Sequence, residues 1–405
     1  CKVTQIICIF VCYMKFLIIH NRYSTVGGEE RVFGMQCDIL RAAGHQVVIY
    51  ERRYDEIRNW PLRRVASLFS SLYNRGAVRQ IKEIIATQRP DIALVHNLFP
   101  VISPAILPIL HRAKVPIIMT LHNFRLVCPT GIFFRDGALC ERCPQSPWRE
   151  WCCAAGRCEG TWAGSVAYAL RSFWARKRGY YLRNVDTFVA LSEFQRQKLG
   201  QYGVPLSRMV VIPNPVEIPA QNTDTQRDNF IGVVGRLSIE KGAGLLFDVA
   251  RSMPSVRFRV AGALMCDAEI MGQKPDNIEL LGVLDRAALD LFYASALAVV
   301  SCSICYETFG LVIAEAMVRG AVGIVPQLAS MGELVDNGRV GIVYRAGDPQ
   351  ALRGAIERVT TDKALSAQLS NDGRRYISSQ YSTAIYCARL VEQAERLKQE
   401  DSYKK

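Results

Sequence analysis

Two glutamates eight positions apart, in the run Glu307-Thr308-Phe309-Gly310-Leu311-Val312-Ile313-Ala314-Glu315-Ala316-Met317, are the residues best placed to do chemistry in this chain. The preceding Leu297-Ala298-Val299-Val300 reads as a buried strand, Ser301 to Tyr306 as the loop leaving it, and Gly310 to Arg319 as a helix closed by Gly320. Glu307 therefore falls in the loop and Glu315 on the helix. A helix that opens directly after a strand aims its unpaired amides, here those of Phe309, Gly310 and Leu311, past the strand's carboxyl end. An anionic diphosphate suits that position. A carboxylate one or two turns further on can accept hydrogen bonds from both hydroxyls of a ribose, and one in the loop is free to meet a sugar ring. The spacing by itself is common on solvated helix faces. The surroundings argue otherwise for Glu315, because Leu311 to Val318 has almost no polar face and a charge buried there without a partner is costly.

Two cations come from a second run, Phe230-Ile231-Gly232-Val233-Val234-Gly235-Arg236-Leu237-Ser238-Ile239-Glu240-Lys241-Gly242, which passes from a strand through a short loop into a helix at Ala243 to Ser252. Gly232 and Gly235 would let the backbone approach a ligand, Arg236 would grip phosphate oxygens with its planar fork, and Lys241 would add a point charge. Neither G-x-G-x-x-G nor G-x-x-x-x-G-K-[ST] occurs here, so neither dinucleotide nor P-loop chemistry is signalled.

The Gly235-to-Gly242 segment, followed about seventy residues later by Glu307-Thr308-Phe309-Gly310 to Glu315-Ala316-Met317, resembles the donor half of glycosyltransferase family 4, whose fold is GT-B. Lys15 to Tyr23 and then Gly27-Gly28-Glu29-Glu30 are similar to the family's first strand and glycine-rich loop. Leu121-His122-Asn123-Phe124-Arg125-Leu126-Val127-Cys128-Pro129 and Ala190-Leu191-Ser192-Glu193-Phe194 resemble its bacterial surface-polysaccharide members. The resemblance spans residues 15 to about 395. It implies that Arg236 and Lys241 bind the diphosphate of a nucleoside-diphosphate-sugar donor, that Glu315 binds the ribose, and that Glu307 faces the transferred sugar. It also implies Gly28 against the phosphates, His122 near the reacting carbon, retention of anomeric configuration, and no catalytic cofactor or metal. No Asp-x-Asp is found, which is compatible with the last point. Cys302 departs from the family pattern, standing where many members have proline.

The elements that must position these groups are legible too. A chain of 405 residues, 50% of them hydrophobic, exceeds one comfortable core and forms a well-folded globule. Apolar runs such as Asp91 to Val95, Val115 to Met119 and Val256 to Val260 alternate with helical stretches, which implies an α/β fold of two doubly wound parallel-sheet, Rossmann-like domains facing across a cleft. In such sheets ligands lie at the strands' carboxyl ends. The expected organisation is a non-native or disordered extension over 1–13, an acceptor-side domain over 14–216 with a Cys-rich insertion at 128–158, and a proline-punctuated linker at 217–228. A donor domain at 229–380 and a final helix within 381–405, packing back toward the first domain, complete it.

His122 lies in a strand-end loop, where a lone histidine is more often structural than catalytic; the family resemblance gives it a role against a donor-sugar hydroxyl and an oxocarbenium-like transition state. His96 is a comparable, weaker candidate on the acceptor side. Of fourteen cysteines, Cys128, Cys140, Cys143, Cys152, Cys153 and Cys158 crowd one region. Cys140-Glu141-Arg142-Cys143 is a knuckle-like C-x2-C, and Cys128 with Cys158 would complete a four-thiolate structural zinc site. Reduced free thiols are the competing reading, with disulfides less favoured.

A formal charge of +13 implies anionic partners. Arg52, Arg53, Arg58, Arg63, Arg64, Arg75 and Arg79, interleaved with Trp60, Leu62, Leu68, Phe69 and Tyr73, form one basic amphipathic region. Arg171, Arg176, Lys177, Arg178 and Arg183, near Phe173, Trp174, Tyr180 and Tyr181, form another. Either is a solvated face or a surface for an anionic membrane carrying a lipid-linked or glycan acceptor. No nucleic-acid module is recognised, and none is expected as a partner. The apolar run Ile6 to Ile19 is interrupted by Lys15 and ends in the first core strand, so neither a transmembrane helix nor a signal peptide is expected. A cytoplasmic place at the inner membrane face follows. The reading as a whole is a retaining transferase that moves a hexosyl unit from a nucleoside-diphosphate sugar to a glycan or lipid-linked acceptor in cell-surface polysaccharide synthesis; the alternatives are a nucleotide-sugar epimerase or phosphorylase on the same scaffold, and a non-catalytic basic zinc-binding scaffold.

Overall fold

The computed structural model describes residues 13–23, 27–59, 63–219 and 227–403. Most of the 1–13 extension, Trp60, Leu62 and residues 220–226 of the linker lie outside the described residues. The strands are β1 Lys15–Arg22, β2 Gln46–Arg53, β3 Ile92–Val95, β4 Ile117–Thr120, β5 Phe134–Arg135, β6 Ala138–Leu139, β7 Thr187–Ala190 and β8 Met209–Val211. They continue with β9 Phe230–Val234, β10 Arg257–Ala261, β11 Ile278–Gly282, β12 Ala298–Val300, β13 Val322–Pro326 and β14 Ile342–Tyr344. Two six-stranded sheets run β2-β1-β3-β4-β7-β8 and β11-β10-β9-β12-β13-β14, with β5 and β6 as a separate antiparallel pair. This is the GT-B arrangement of two Rossmann-like sheets. Pairing is parallel from β2 through β1 and β3 to β4 and throughout the second sheet, as expected where each strand is followed by a crossover and both faces are covered.

The chain forms two compact units. One comprises the residues up to Thr120, Ala175–Phe188 and the residues from Cys387; the other comprises Leu121–Trp174 and Val189–Tyr386. This division differs from the expected boundary at 217–228, because the Cys-rich segment and the region around Ser192 group with the second six-stranded sheet. Glu333 shows one reason: its carboxylate accepts from the Glu193 and Phe194 amides at 2.9 and 2.7 Å, closing the amino end of the helix Glu193–Gln201. In the first unit the helix Thr383–Tyr403, from Cys387 onward, joins the amino-terminal sheet, and Lys398 pairs with Asp91 at 2.8 Å.

The second sheet separates its residues by the period of two that a strand imposes. Ile231, Ala298 and Val300 face a cluster with the helix Ala243–Ser252 and the helix Pro349–Thr361. Phe230 and Val299 face the opposite cluster with the helix Arg286–Ser295 and the helix Leu311–Val318. From β9 the chain builds β10 and β11 to one side and then returns to place β12 on the other, so the loops leaving β9 and β12 diverge at a topological switch point. Both motif runs found in the sequence are those two loops.

Candidate active site

The loop after β9 and the loop after β12 are pressed together by glycines. Gly242, left-handed at φ +80° as the cap of the helix Ala243–Ser252, leaves no room for a side chain, since a Cβ there would stand 2.0 Å from the Cys302 carbonyl oxygen. The Ile304 amide donates to the Glu240 carbonyl at 3.1 Å. Cys302, the departure from the family pattern, is buried, and its carbonyl forms the wall that Gly242 meets. Gly262 serves the neighbouring loop in the same way, its Cα passing so close that a Cβ would lie 1.9 Å from the Gly235 oxygen. Gly232 has a different role from the one expected. It sits within β9 against Phe292 and Val299, so its small size serves core packing.

This closeness brings Lys241 to Glu307 at 2.5 Å. Ser303 Oγ donates to the same carboxylate oxygen at 2.5 Å, and Ser330 Oγ donates to the Glu307 carbonyl at 2.8 Å. Burial alone would raise the Glu307 carboxyl, but Lys241 and Ser303 hold it below its ordinary value. Burial would lower the Lys241 ammonium, and Glu307 holds it above. Both groups are thus charged near neutrality. Arg236 is half-exposed and 3.6 Å from Glu240, leaving it able to turn toward an anion.

The helix Leu311–Val318 begins one residue later than expected, after Gly310 at φ +94°. Gly310 has no side chain with which to cap the first amides of the helix, which opens three residues after Glu307 of the Lys241–Glu307 pair. The Phe309 ring turns inward against Tyr381, leaving only its backbone for ligand contact. Thr308 Oγ1 donates to the His122 carbonyl at 3.2 Å, which places His122 beside this loop.

Glu315 carries a charge that is costly to bury without a partner. It is 2% exposed, and the protein itself supplies partners: the Tyr293 hydroxyl donates to Oε2 at 3.2 Å, and Arg286 lies 3.9 Å from Oε1. These groups stand 22 and 29 positions upstream on the facing helix Arg286–Ser295.

A family model described as Glycosyltransferase Family 4 matches residues 26–218, and one described as Glycosyl transferases group 1 matches residues 216–376. The chain belongs to glycosyltransferase family 4. This family-4 chain is 24% identical over 353 residues to an uncharacterized 42.6 kDa protein in the cps region of Klebsiella pneumoniae, covering 79% of this chain and 87% of that one. Among solved structures it is similar to Anabaena HepE in complex with UDP-glucose, at a TM-score of 0.64 and 17% identity, covering 95% of this chain and 100% of that one. It is likewise similar to the sucrose-phosphate synthase of Thermosynechococcus elongatus, at a TM-score of 0.69 and 18% identity, covering 95% and 99%.

Of the remaining expected site residues of the family-4 chain, Gly28 and His96 belong to the first unit and the four cysteines to the second. Gly28 belongs to the first unit, where it opens the helix Gly28–Ala42, and the Glu30 carboxylate accepts from the Gly27 and Tyr23 amides at 2.9 and 3.0 Å. His96 is buried in that unit and hydrogen-bonds Gln36 through Nε2 at 2.8 Å. The four thiols Cys128, Cys140, Cys143 and Cys158 share one region, but Cys158 is hydrogen-bonded to Cys153, and Cys128 Sγ lies 3.3 Å from Thr130 Oγ1. That bond from Cys153 is the main influence drawing Cys158 down to about 7, whereas burial followed by neighbouring thiols pushes Cys143 up. Among the described residues no three His, Cys, Asp or Glu side chains are grouped so as to hold a metal ion, so the zinc site remains an expectation of spacing alone. The sequence reading missed Ser303, Thr308, Ser330, Tyr293 and Arg286. Of these, Ser303 and Thr308 carried a signal, being hydroxyl residues in the motif loop.

Proposed function

We propose that the chain transfers a hexosyl unit, with retention, from a nucleoside-diphosphate sugar to a glycan or lipid-linked acceptor in cell-surface polysaccharide synthesis. The observation that carries this reading is the charged Lys241–Glu307 pair beside the uncapped amino end of the helix Leu311–Val318. Lys241, Arg236 and the amides of Gly310 and Leu311 together make a cradle for a diphosphate, and Glu307 then stands where a hexose would follow it. Glu315, held by Tyr293 and Arg286, is the carboxylate that would accept from the ribose hydroxyls of the donor. HepE with UDP-glucose and the cps-region relative from Klebsiella support the donor class and the pathway.

Calorimetric titration with UDP-, GDP-, ADP- and dTDP-sugars tests this. One base should bind selectively, and Glu315→Ala should weaken it by about 10- to 100-fold, the loss expected when a buried acceptor of a hydrogen-bonded ligand is removed. Failure of the entire panel to bind would sink the proposal. The anomeric configuration of the product, read by NMR, tests retention.

We further read the first unit as the membrane-facing side. Phe69 is 63% and Tyr73 49% exposed, next to the exposed Arg75 and Arg79. Arg171 does not join the second basic region, because it is buried and donates to the Pro129 carbonyl at 3.0 Å, and Arg52 is engaged by Glu56. Among the described residues no helix is long and apolar enough to cross a bilayer. The expected result is co-sedimentation with vesicles containing anionic phospholipid, reversed by roughly 0.5 M salt through screening. Equal binding to neutral vesicles would refute it.

A further inference from the structure

Glu141, set between Cys140 and Cys143, lies at the centre of a cluster that reaches the active-site loop from a distance of 165 residues in sequence. Its carboxylate accepts from the Tyr306 hydroxyl at 2.6 Å, from Lys198 Nζ at 3.0 and 3.3 Å, and from the Tyr202 hydroxyl. Gln145 supports Tyr202 at 3.1 Å. The side chains of Glu141 and Lys198 are each 16% exposed, so this ion pair is far better shielded than a surface one. Burial would raise the Glu141 carboxyl, and the donors from Tyr202, Tyr306 and Lys198 hold it below its ordinary value.

The ring of Tyr306 is enclosed as firmly as its hydroxyl. Phe194, Phe133 and Phe124 lie at centroid distances of 5.1, 5.9 and 6.2 Å, and Lys198 sits 5.5 Å over its face. Tyr306 is the residue immediately before Glu307, and Thr308, immediately after, is bonded to the His122 carbonyl. Both neighbours of Glu307 are therefore tied to the segment from His122 to Glu141. A loop anchored on both sides cannot shift Glu307 without breaking one anchor.

We propose that Glu141 is a positioning residue: through Tyr306 it sets where the Glu307 carboxylate stands, and so makes the Cys-rich segment part of the machinery that orients the transferred sugar. This rests on the function proposed above. The natural prediction is an effect on turnover that exceeds any effect on donor affinity, because the diphosphate is held by Lys241 and the helix amides while the sugar is oriented by Glu307.

The test uses the full chain and the nucleotide sugar that binds the wild type, measuring release of nucleoside diphosphate with water as acceptor. Tyr306→Phe and Glu141→Gln should each lower kcat by about 10-fold with less than about 3-fold change in donor KM, and the double variant should be no slower than the slower single one. Thermal midpoints are recorded alongside. A fall in midpoint with kcat unchanged, or losses that multiply in the double variant, would assign Glu141 a structural role only and overturn the proposal. Wild-type protein that binds no sugar nucleotide would instead remove the functional reading beneath it. Binding retained with unaltered kcat in both variants removes the positioning role alone.

Discussion

Lys241→Ala is expected to reduce kcat/KM for the donor by about 10²- to 10³-fold, equivalent to roughly 3–4 kcal/mol of lost transition-state stabilisation. Two losses coincide. The diphosphate loses a positive charge, and Glu307, 21% exposed, keeps its negative one without its ammonium partner. Adding Glu307→Gln to Lys241→Ala should then recover donor affinity relative to Lys241→Ala alone, because the unpaired carboxylate repels the phosphates. If the double variant binds no better, repulsion is not part of the effect. The pH dependence follows from the same pair. Glu307 is held below its ordinary value, so its contribution to stability is complete above that value and is lost only as pH falls through the lower, folded one. Lys241 is held above its ordinary value, so its contribution is complete below that value and is lost as pH rises through the higher, folded one. Between about pH 6 and about pH 9 the pair should add no titration of its own to the rate profile. A limb in that window that disappears in Lys241→Ala would contradict this.

Gly242→Ala is expected to cost about 2–5 kcal/mol of stability. A residue with a Cβ in the left-handed region costs about 1–2 kcal/mol, and forced repacking adds about 1–3 kcal/mol. Both apply here, since φ is +80° and the new Cβ would stand 2.0 Å from the Cys302 oxygen and 2.8 Å from its carbonyl carbon, both backbone atoms. The loops after β9 and β12 must separate, which also moves Lys241 away from Glu307. A calorimetric scan should show the transition lowered by roughly 5–15 °C, accompanied by weaker donor binding. Gly244→Ala is the matched control, because nothing lies within 4 Å of its Cβ position. It should be neutral or stabilising by up to about 1 kcal/mol. Equal behaviour of the two variants would show that the contact with Cys302 is not tight.

The features visible in sequence are those written locally. Apolar runs of strand length, the glycine that opens the helix at Leu311, and the two cations after β9 all lie within a few positions of what they determine. Tertiary partners were not visible. Glu315 was read as needing a partner, but Tyr293 and Arg286 could not be named, because they lie on another helix and no local pattern links them. Gly232 was read as a ligand approach because an isolated glycine in a strand signals either a close backbone or a bulky neighbour, and Phe292, sixty positions away, decides which. The cysteine spacing gave a cluster in sequence, but thiol direction depends on the folding of the whole segment, where Cys153 takes Cys158.

The compact units have a consequence for how such chains can be recombined. The boundary between the two matching family models falls at residues 216–218, which invites exchange of halves between relatives. Yet the second unit takes in Leu121–Trp174, and the first takes in the residues from Cys387, including the Lys398 that pairs with Asp91. A chimaera joined at the middle would give each unit a segment grown against a different ancestor: Glu141 would meet a foreign Tyr306, and Asp91 a foreign Lys398. Domain shuffling is therefore constrained to exchanges that carry the Cys-rich segment with the second unit and the last helix with the first.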